Sequence, residues 1–137
     1  MNTFGPLVDS GWLAAHLGDP RLRVIDFRWQ VGQPGPTDPR AGHIPGAFSA
    51  PWGGNLDRAG RFKPADELRR RFRDLGVRDG SQVVAYCGSG VSACVNLLAL
   101  ERAGLAGGRL YPGSWSDWSS RPEAPVATAD ETPRPLR

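Results

Sequence analysis

The stretch VVAYCGSGVSACVNLLAL, residues 83–100, decides the fold because it joins a strand pattern to a helix pattern across a very short loop. Its first residues are apolar and β-branched, as in the buried strands of a parallel sheet. From Ser92 onward the apolar spacing is that of a helix, which Gly104 ends. The stretch therefore predicts a strand, a loop and a helix in succession. Cys87 then lies at the carboxyl end of the strand, where α/β sheets place their sites.

Strands and helices also alternate along the rest of the chain. The sequence predicts, in order, a short helix capped by Asp9 or Ser10, a strand in 23–27, an extended segment in 47–52, a helix in 63–77 and a last strand in 109–113. Residues 29–47 are rich in Gly and Pro and predict a loop that crosses the surface. This alternation indicates an α/β domain with a largely parallel sheet.

Size and composition fit one globular domain. The chain has 137 residues, of which 39% are hydrophobic and 23% charged, and both values are typical of folded domains. We expect a single domain over residues 1–128. Residues 129–137 are expected to form a flexible tail, because they are polar and rich in Pro.

Charge and cysteine content limit the class of protein. The formal net charge of +3 favours small anions mildly and does not indicate nucleic acid. No apolar run has the length of a membrane span or of a signal-peptide core, so we expect a cytoplasmic protein without a membrane partner. Two cysteines make no disulfide framework, and both are expected to be free thiols.

The loop after Cys87 has the composition of an anion site. Backbone N–H groups of the loop and of the first helical turn can converge on the sulfur, and they would stabilise the nucleophilic thiolate form. Gly88 and Gly90 fit such a loop, because inward-pointing amides require unusual backbone angles and little side-chain bulk. The alternative is a buried structural cysteine, which would leave the glycine-rich loop without a purpose.

Several other cysteine and phosphate chemistries lack residues that they need. A cysteine-dependent phosphatase requires an arginine six residues after its nucleophile, and here that position is Ala93. A phosphate-binding P-loop requires a lysine that this loop lacks. For zinc, Cys87 and Cys94 lie too far apart in sequence and His16 is remote. A papain-like protease requires an oriented histidine, which His43 alone does not establish.

Four motifs in order resemble the rhodanese superfamily, in particular its thiosulfate and 3-mercaptopyruvate sulfurtransferases. They are VIDFR at 24–28, AGHIPGA at 41–47, CGSGVSAC at 87–94 and YPGSWSDW at 111–118. The resemblance runs from about Leu7 to Ala127. It implies the rhodanese-like α/β fold, with three layers and a mostly parallel central sheet between helices. It also implies that Cys87 carries sulfane sulfur as a persulfide and that the loop holds the bound anion through Gly88, Ser89, Gly90, Val91 and Ser92.

The chain departs from that pattern in two respects. Sulfurtransferases with this loop commonly have two rhodanese domains in tandem, with the cysteine in the second, whereas this chain has room for one. Its opening resembles the start of their first domain and its second half resembles their active domain, so we expect one intact domain. Ser92 stands where threonine is usual and keeps the hydroxyl.

Four further residues are candidates for substrate binding or for support of the site. His43 is expected to anchor its loop through Asp26, with proton relay to Ser89 as the alternative. Arg28 and Arg40 are candidates to hold a donor carboxylate or sulfonate, with structural or solvated roles as the alternative.

Cys94 and the two tryptophans of the last motif are assigned to the core. Cys94 lies two turns along an apolar helix, so packing is favoured over a role as a resolving thiol. Trp115 and Trp118 are expected to cover the core rather than to bind substrate.

The favoured function is a sulfurtransferase that uses 3-mercaptopyruvate or thiosulfate as its anionic donor. Cyanide, a small thiol or a protein cysteine would be the acceptor, and no cofactor or metal is expected. A non-enzymatic persulfide carrier remains open, and a relative of phosphatases or arsenate reductases is disfavoured by Ala93. A homodimer is expected to shield the surface near the WSDW segment, residues 115–118.

Overall fold

The computed structural model of the protein describes residues 7–28, 40–88 and 90–128. Its helices are α1 Ser10–His16, α2 Ala65–Asp74, α3 Val91–Arg102 and α4 Ser114–Trp118. Its strands are β1 Arg23–Asp26, β2 Phe48–Ser49, β3 Val83–Tyr86 and β4 Arg109–Leu110, and two short 3₁₀ helices cover Trp52–Asn55 and Gly80–Gln82. The predicted order of strands and helices is therefore confirmed.

The four strands form one parallel sheet in the order β2-β1-β3-β4. In its centre, Ile25 of β1 lies beside Ala85 of β3. Every residue of β1 and β3 is buried, as expected for strands that are covered on both faces. Because the carboxyl ends of parallel strands meet at one edge, Asp26 and Cys87 come to the same edge of the sheet.

Helices cover both faces of the sheet and make three layers. Ile25 and Ala85 belong to a core that includes Leu68 and Phe72 of α2 and Leu100 of α3. The residues that alternate with them face a second core on the other side, formed with α1 and α4: Val24, Val84, Tyr86, Leu13, Trp115 and Trp118. This arrangement confirms the predicted α/β fold class, with three layers and a parallel sheet between helices.

The segment that leads to β2 differs from the predicted surface loop where the structure describes it. His43 and Ile44 are buried, and the backbone of His43 exchanges hydrogen bonds of 2.8 and 2.9 Å with Ala127. The segment can be buried because those bonds satisfy its polar groups. The remainder of that loop, 29–39, and the predicted tail, 129–137, lie outside the described residues.

No helix in the described ranges has the length and apolar character needed to cross a membrane.

Candidate active site

The loop after β3 brings a backbone amide to a buried sulfur. Cys87 is only 2% exposed, and the Gly90 N–H donates a hydrogen bond to its Sγ at 3.0 Å. Gly90 is the N-cap of α3, so this amide belongs to the positive end of the helix. Such a contact stabilises negative charge on the sulfur. Ser89, one of the predicted loop residues, lies outside the described residues.

Of the two loop glycines that the structure describes, only Gly90 has a backbone conformation and surroundings that require glycine. Gly90 has φ +92°, and a Cβ on it would lie 2.5 Å from the Pro112 carbonyl oxygen. Gly88 has no left-handed φ, and a Cβ there would meet no atom within 4 Å. The expectation that both glycines are needed for unusual backbone angles is therefore wrong for Gly88.

The first turn of α3 surrounds the loop with neutral side chains. Val91 is 73% exposed, and Ser92 is half-buried. Ala93 is fully buried, so the position where a phosphatase needs its arginine faces the core and carries no charge.

Asp26 and Arg28 form a buried ion pair at the same edge of the sheet. Arg28 Nη2 lies 2.6 Å from Asp26 Oδ2, and Arg28 Nε lies 3.0 and 3.1 Å from the two carboxylate oxygens. Arg28 also donates to the Gly42 carbonyl at 2.6 Å, and its guanidinium lies 4.7 Å from the Trp115 ring centroid. These contacts are those of a supporting residue, and they occupy Nε and Nη2, the pair that a side-on bidentate grip on a donor would use.

The pair also influences Tyr86, the last residue of β3. Burial, followed by the negative charge of Asp26 and a hydrogen bond with it, raises the pKa of Tyr86 well above its ordinary value. Burial by itself lowers the pKa of Arg28, but the hydrogen bond and charge of Asp26 outweigh it and the pKa is raised. The Tyr86 hydroxyl accepts the Ile44 N–H at 3.1 Å and so ties the buried 42–44 segment to β3.

The ring of His43 is buried and contacts the backbone of the next residue. It is 3% exposed, and its Nδ1 lies 2.9 Å from the Ile44 carbonyl, to which an Nδ1–H donates. The Asp26 carboxylate that was expected to anchor it is paired with Arg28. Relay of a proton from His43 to Ser89 stays a prediction.

Arg40 holds the segment that follows α4. Its guanidinium donates to four backbone carbonyls at 2.7–3.3 Å, those of Trp118, Ser119, Arg121 and Ala124. Because these bonds use four of its five N–H groups, a bidentate grip on a donor anion would have to displace at least one of them. The geometry favours the structural alternative for Arg40.

The family is decided by comparison with known proteins. Residues 9–121 match the model of the rhodanese-like domain. The chain belongs to the rhodanese-like domain family. This domain is 50% identical over 128 residues to a Pseudomonas aeruginosa protein named "Probable 3-mercaptopyruvate sulfurtransferase". The match covers 90% of this chain and 45% of the relative.

Two further relatives also have sulfurtransferase names. The 3-mercaptopyruvate sulfurtransferase of Escherichia coli K12 is 43% identical over 120 residues, covering 83% of this chain and 41% of that protein. Among solved structures, the sulfur transferase subunit of yeast mitochondrial complex I is 29% identical, with a TM-score of 0.77 over 93% of this chain and 47% of that chain. The rhodanese-like domain thus spans less than half the length of these relatives.

The structure of YnjE shows the same fold. Its TM-score is 0.82 at 23% identity, over 94% of this chain and 34% of that chain.

The prediction that Cys94 packs in the core is wrong. Cys94 is exposed on α3, and its Sγ lies 3.4 Å from the Gly90 carbonyl oxygen. Val91 and Leu98, three residues before it and four after it, are exposed as well. The helix of this rhodanese-like domain is apolar on its outer face too, so periodicity does not indicate which side is buried. Trp115 and Trp118 are fully buried, as predicted.

Residues at the start of α4 hold the loop from outside, and they were not predicted from the sequence. Ser114 Oγ accepts the Cys87 N–H at 3.1 Å, and the N–H groups of Trp115 and Ser116 donate to the carbonyls of Cys87 and Gly88, each at 2.9 Å. The YPGSWSDW motif marks the position of Ser114, but no local pattern shows which atom it contacts.

A second missed group lies under α3. Asn96 Nδ2 donates to the Ser92 carbonyl at 2.9 Å, Asn55 Nδ2 donates to Asn96 Oδ1, and Arg71 donates to Asn55 Oδ1. Both asparagines are fully buried, so this chain of hydrogen bonds connects α2 to the first turn of α3 beside the loop.

Among the described residues, no group of three or more His, Cys, Asp or Glu side chains is placed to hold a metal ion.

Proposed function

We propose that this rhodanese-like domain is a sulfurtransferase that carries sulfane sulfur as a persulfide on Cys87. The observation that carries the proposal is the Gly90 N–H, 3.0 Å from the Sγ of Cys87, a residue that is 2% exposed at the end of β3. Burial by itself disfavours a charged sulfur, and the hydrogen bond from the Gly90 N–H offsets part of that cost. The nucleophilic thiolate and its anionic persulfide both carry the negative charge that this N–H stabilises. The names of the relatives support the same activity.

The reaction proceeds in two displacements. The Cys87 thiolate attacks the outer sulfur of the donor, and a sulfur–sulfur bond forms on the enzyme. With thiosulfate the donor's own sulfur–sulfur bond breaks and sulfite leaves; with 3-mercaptopyruvate the carbon–sulfur bond breaks and pyruvate leaves after its enolate takes a proton. The acceptor then attacks the outer sulfur, takes it, and returns Cys87 to the thiolate.

The predicted site residues have distinct roles in the proposed reaction. Cys87 is the catalytic residue, and the loop from Gly88 to Ser92 holds the anion. Asp26 and Arg28 are assigned to the support of the 42–44 segment, since Arg28 binds both Asp26 and the Gly42 carbonyl. Arg40 and His43 are assigned to the support of the backbone around them, through the Arg121 and Ile44 carbonyls among others.

Turnover separates an enzyme from a persulfide carrier, which would share every feature of the site. With 3-mercaptopyruvate as donor and cyanide as acceptor, we expect many equivalents of thiocyanate for each Cys87, and none from Cys87→Ser. Release of one equivalent, followed by a stop, would favour the carrier.

We expect a higher kcat/KM for 3-mercaptopyruvate than for thiosulfate. Thiosulfate is a small dianion, and attraction to a cation at about 4 Å contributes about 4 kcal/mol at an effective dielectric near 20. Positions 88 and 89 are Gly and Ser and supply no such charge. Steady-state kinetics with both donors tests this.

The matched variant carries both Gly88→Arg and Ser89→Lys. It should shift the preference toward thiosulfate by at least tenfold, since the space beside Gly88 accepts a side chain. A parent domain that already favours thiosulfate tenfold would show that loop charge does not decide the donor.

The proposal also covers the setting of the domain. We propose one domain over residues 1–128 that acts in the cytoplasm on a small anionic donor. The homodimer stays a prediction. The indoles of Trp115 and Trp118 are buried and cannot form the apolar surface that it would shield, whereas Val91 and Leu98 on α3 are exposed.

A further inference from the structure

We propose that Ser114 is a positioning residue that sets the geometry of the Cys87 loop, an inference that rests on the proposed sulfurtransferase function. Among the described residues, Ser114 is the one non-glycine residue with a positive φ, at +54°. It lies at the start of α4 and is fully buried. A left-handed conformation is strained for a serine, so we expect the contacts of its side chain to compensate for that strain.

The Ser114 hydroxyl bridges the nucleophile's own backbone to the end of the last strand. It accepts the Cys87 N–H at 3.1 Å and donates its proton to the Tyr111 carbonyl at 2.9 Å. Both contacts are buried, so removal of the hydroxyl leaves the Cys87 N–H without this acceptor where water cannot easily reach it, whereas the Tyr111 carbonyl still accepts the Ser114 N–H at 3.2 Å. The hydroxyl therefore fixes the point at which the chain leaves β3 and the Cys87 side chain begins.

The two residues after Ser114 fix the direction of the loop's peptide groups. The Trp115 N–H donates to the Cys87 carbonyl and the Ser116 N–H donates to the Gly88 carbonyl, each at 2.9 Å. In a trans peptide the carbonyl and the following N–H point in opposite directions. Because the Cys87 carbonyl points to α4, the Gly88 N–H is turned away from α4. The left-handed turn at Ser114 is what aligns all three contacts with the loop.

A glycine at this position would adopt φ +54° without steric cost, so backbone geometry alone does not account for serine. The property that glycine would lack is the hydroxyl. Ser114→Gly thus removes the hydroxyl while relieving the backbone, and Ser114→Ala removes the hydroxyl while keeping the backbone strain. Effects that are equal in the two variants belong to the hydroxyl, and effects that differ belong to the strain.

The experiment uses the full chain, these two variants, and Ser120→Ala as control, since Ser120 is an exposed serine just after α4. We expect hydrogen exchange of the Cys87 amide, followed by NMR, to be at least fivefold faster in both Ser114 variants. With 3-mercaptopyruvate and cyanide, kcat should fall at least fivefold in both while KM stays within about threefold. Ser114→Gly should melt at a higher temperature than Ser114→Ala, and Ser120→Ala should match the parent.

Three results would overturn the proposal. They are a change in amide exchange or in kcat below fivefold, a change in KM alone, and a kcat that falls in parallel with the melting temperature. Failure of both variants to fold would also overturn it, because Ser114 would then be a folding residue. A parent chain without turnover would refute the proposed function instead, and amide exchange at Cys87 would then decide the role of Ser114 by itself.

Discussion

Replacing Arg28 with methionine is expected to lower the free energy of unfolding by about 3–5 kcal/mol, because it leaves a buried carboxylate without its partner. Asp26 is 1% exposed and receives four hydrogen bonds from Arg28, three from the guanidinium and one from the backbone N–H. The same change removes the bond to the Gly42 carbonyl, which holds the buried 42–44 segment. Urea unfolding followed by circular dichroism measures the loss.

The matched control is the double variant Asp26→Leu, Arg28→Met. It removes both charges and should recover much of the stability that the single variant loses, since a buried charge without a partner is the main cost. Equal stability of the single and double variants would contradict the account of the pair. If Arg28 instead holds the donor, the single variant would raise KM with little loss of stability.

Gly90→Ala is expected to lower the free energy of unfolding by about 2–5 kcal/mol and to reduce the rate of persulfide loading by at least tenfold. The new methyl group would lie 2.5 Å from the Pro112 carbonyl, and alanine at φ +92° is strained wherever its side chain lies. Relief of either problem moves the Gly90 amide away from Cys87 Sγ. Urea unfolding and single-turnover loading with 3-mercaptopyruvate measure the two effects.

Gly88→Ala is the matched control in the same loop. Its Cβ meets no atom within 4 Å and its φ is not left-handed, so stability should stay within about 0.5 kcal/mol of the parent. Equal behaviour of the two alanine variants would mean that the loop does not depend on the geometry at Gly90.

The strands, the helices and the position of Cys87 after β3 were predictable because each depends on local pattern. Because the apolar run 83–86 forms a strand and a helix begins soon after it, Cys87 must lie at the carboxyl end of β3. Leu68 and Phe72 lie four residues apart on α2, and both are buried as that spacing predicts.

The supporting contacts were not predictable because they join residues that are distant in sequence. Arg40 binds carbonyls about 80 residues further along the chain, and Ser114 binds the Cys87 amide from the start of α4. The exposure of Cys94 was missed for a different reason: α3 is apolar around most of its circumference, so its pattern does not indicate an outer face.

The most direct test of the account is intact-protein mass spectrometry after incubation with 3-mercaptopyruvate and, separately, with thiosulfate. The parent chain and Cys94→Ser, which keeps the buried thiol and loses the exposed one, should each gain the mass of one sulfur atom, and dithiothreitol should remove it. Cys87→Ser should gain nothing. If neither donor adds a sulfur atom to the parent chain, or if Cys87→Ser gains the same mass, the persulfide is not on Cys87.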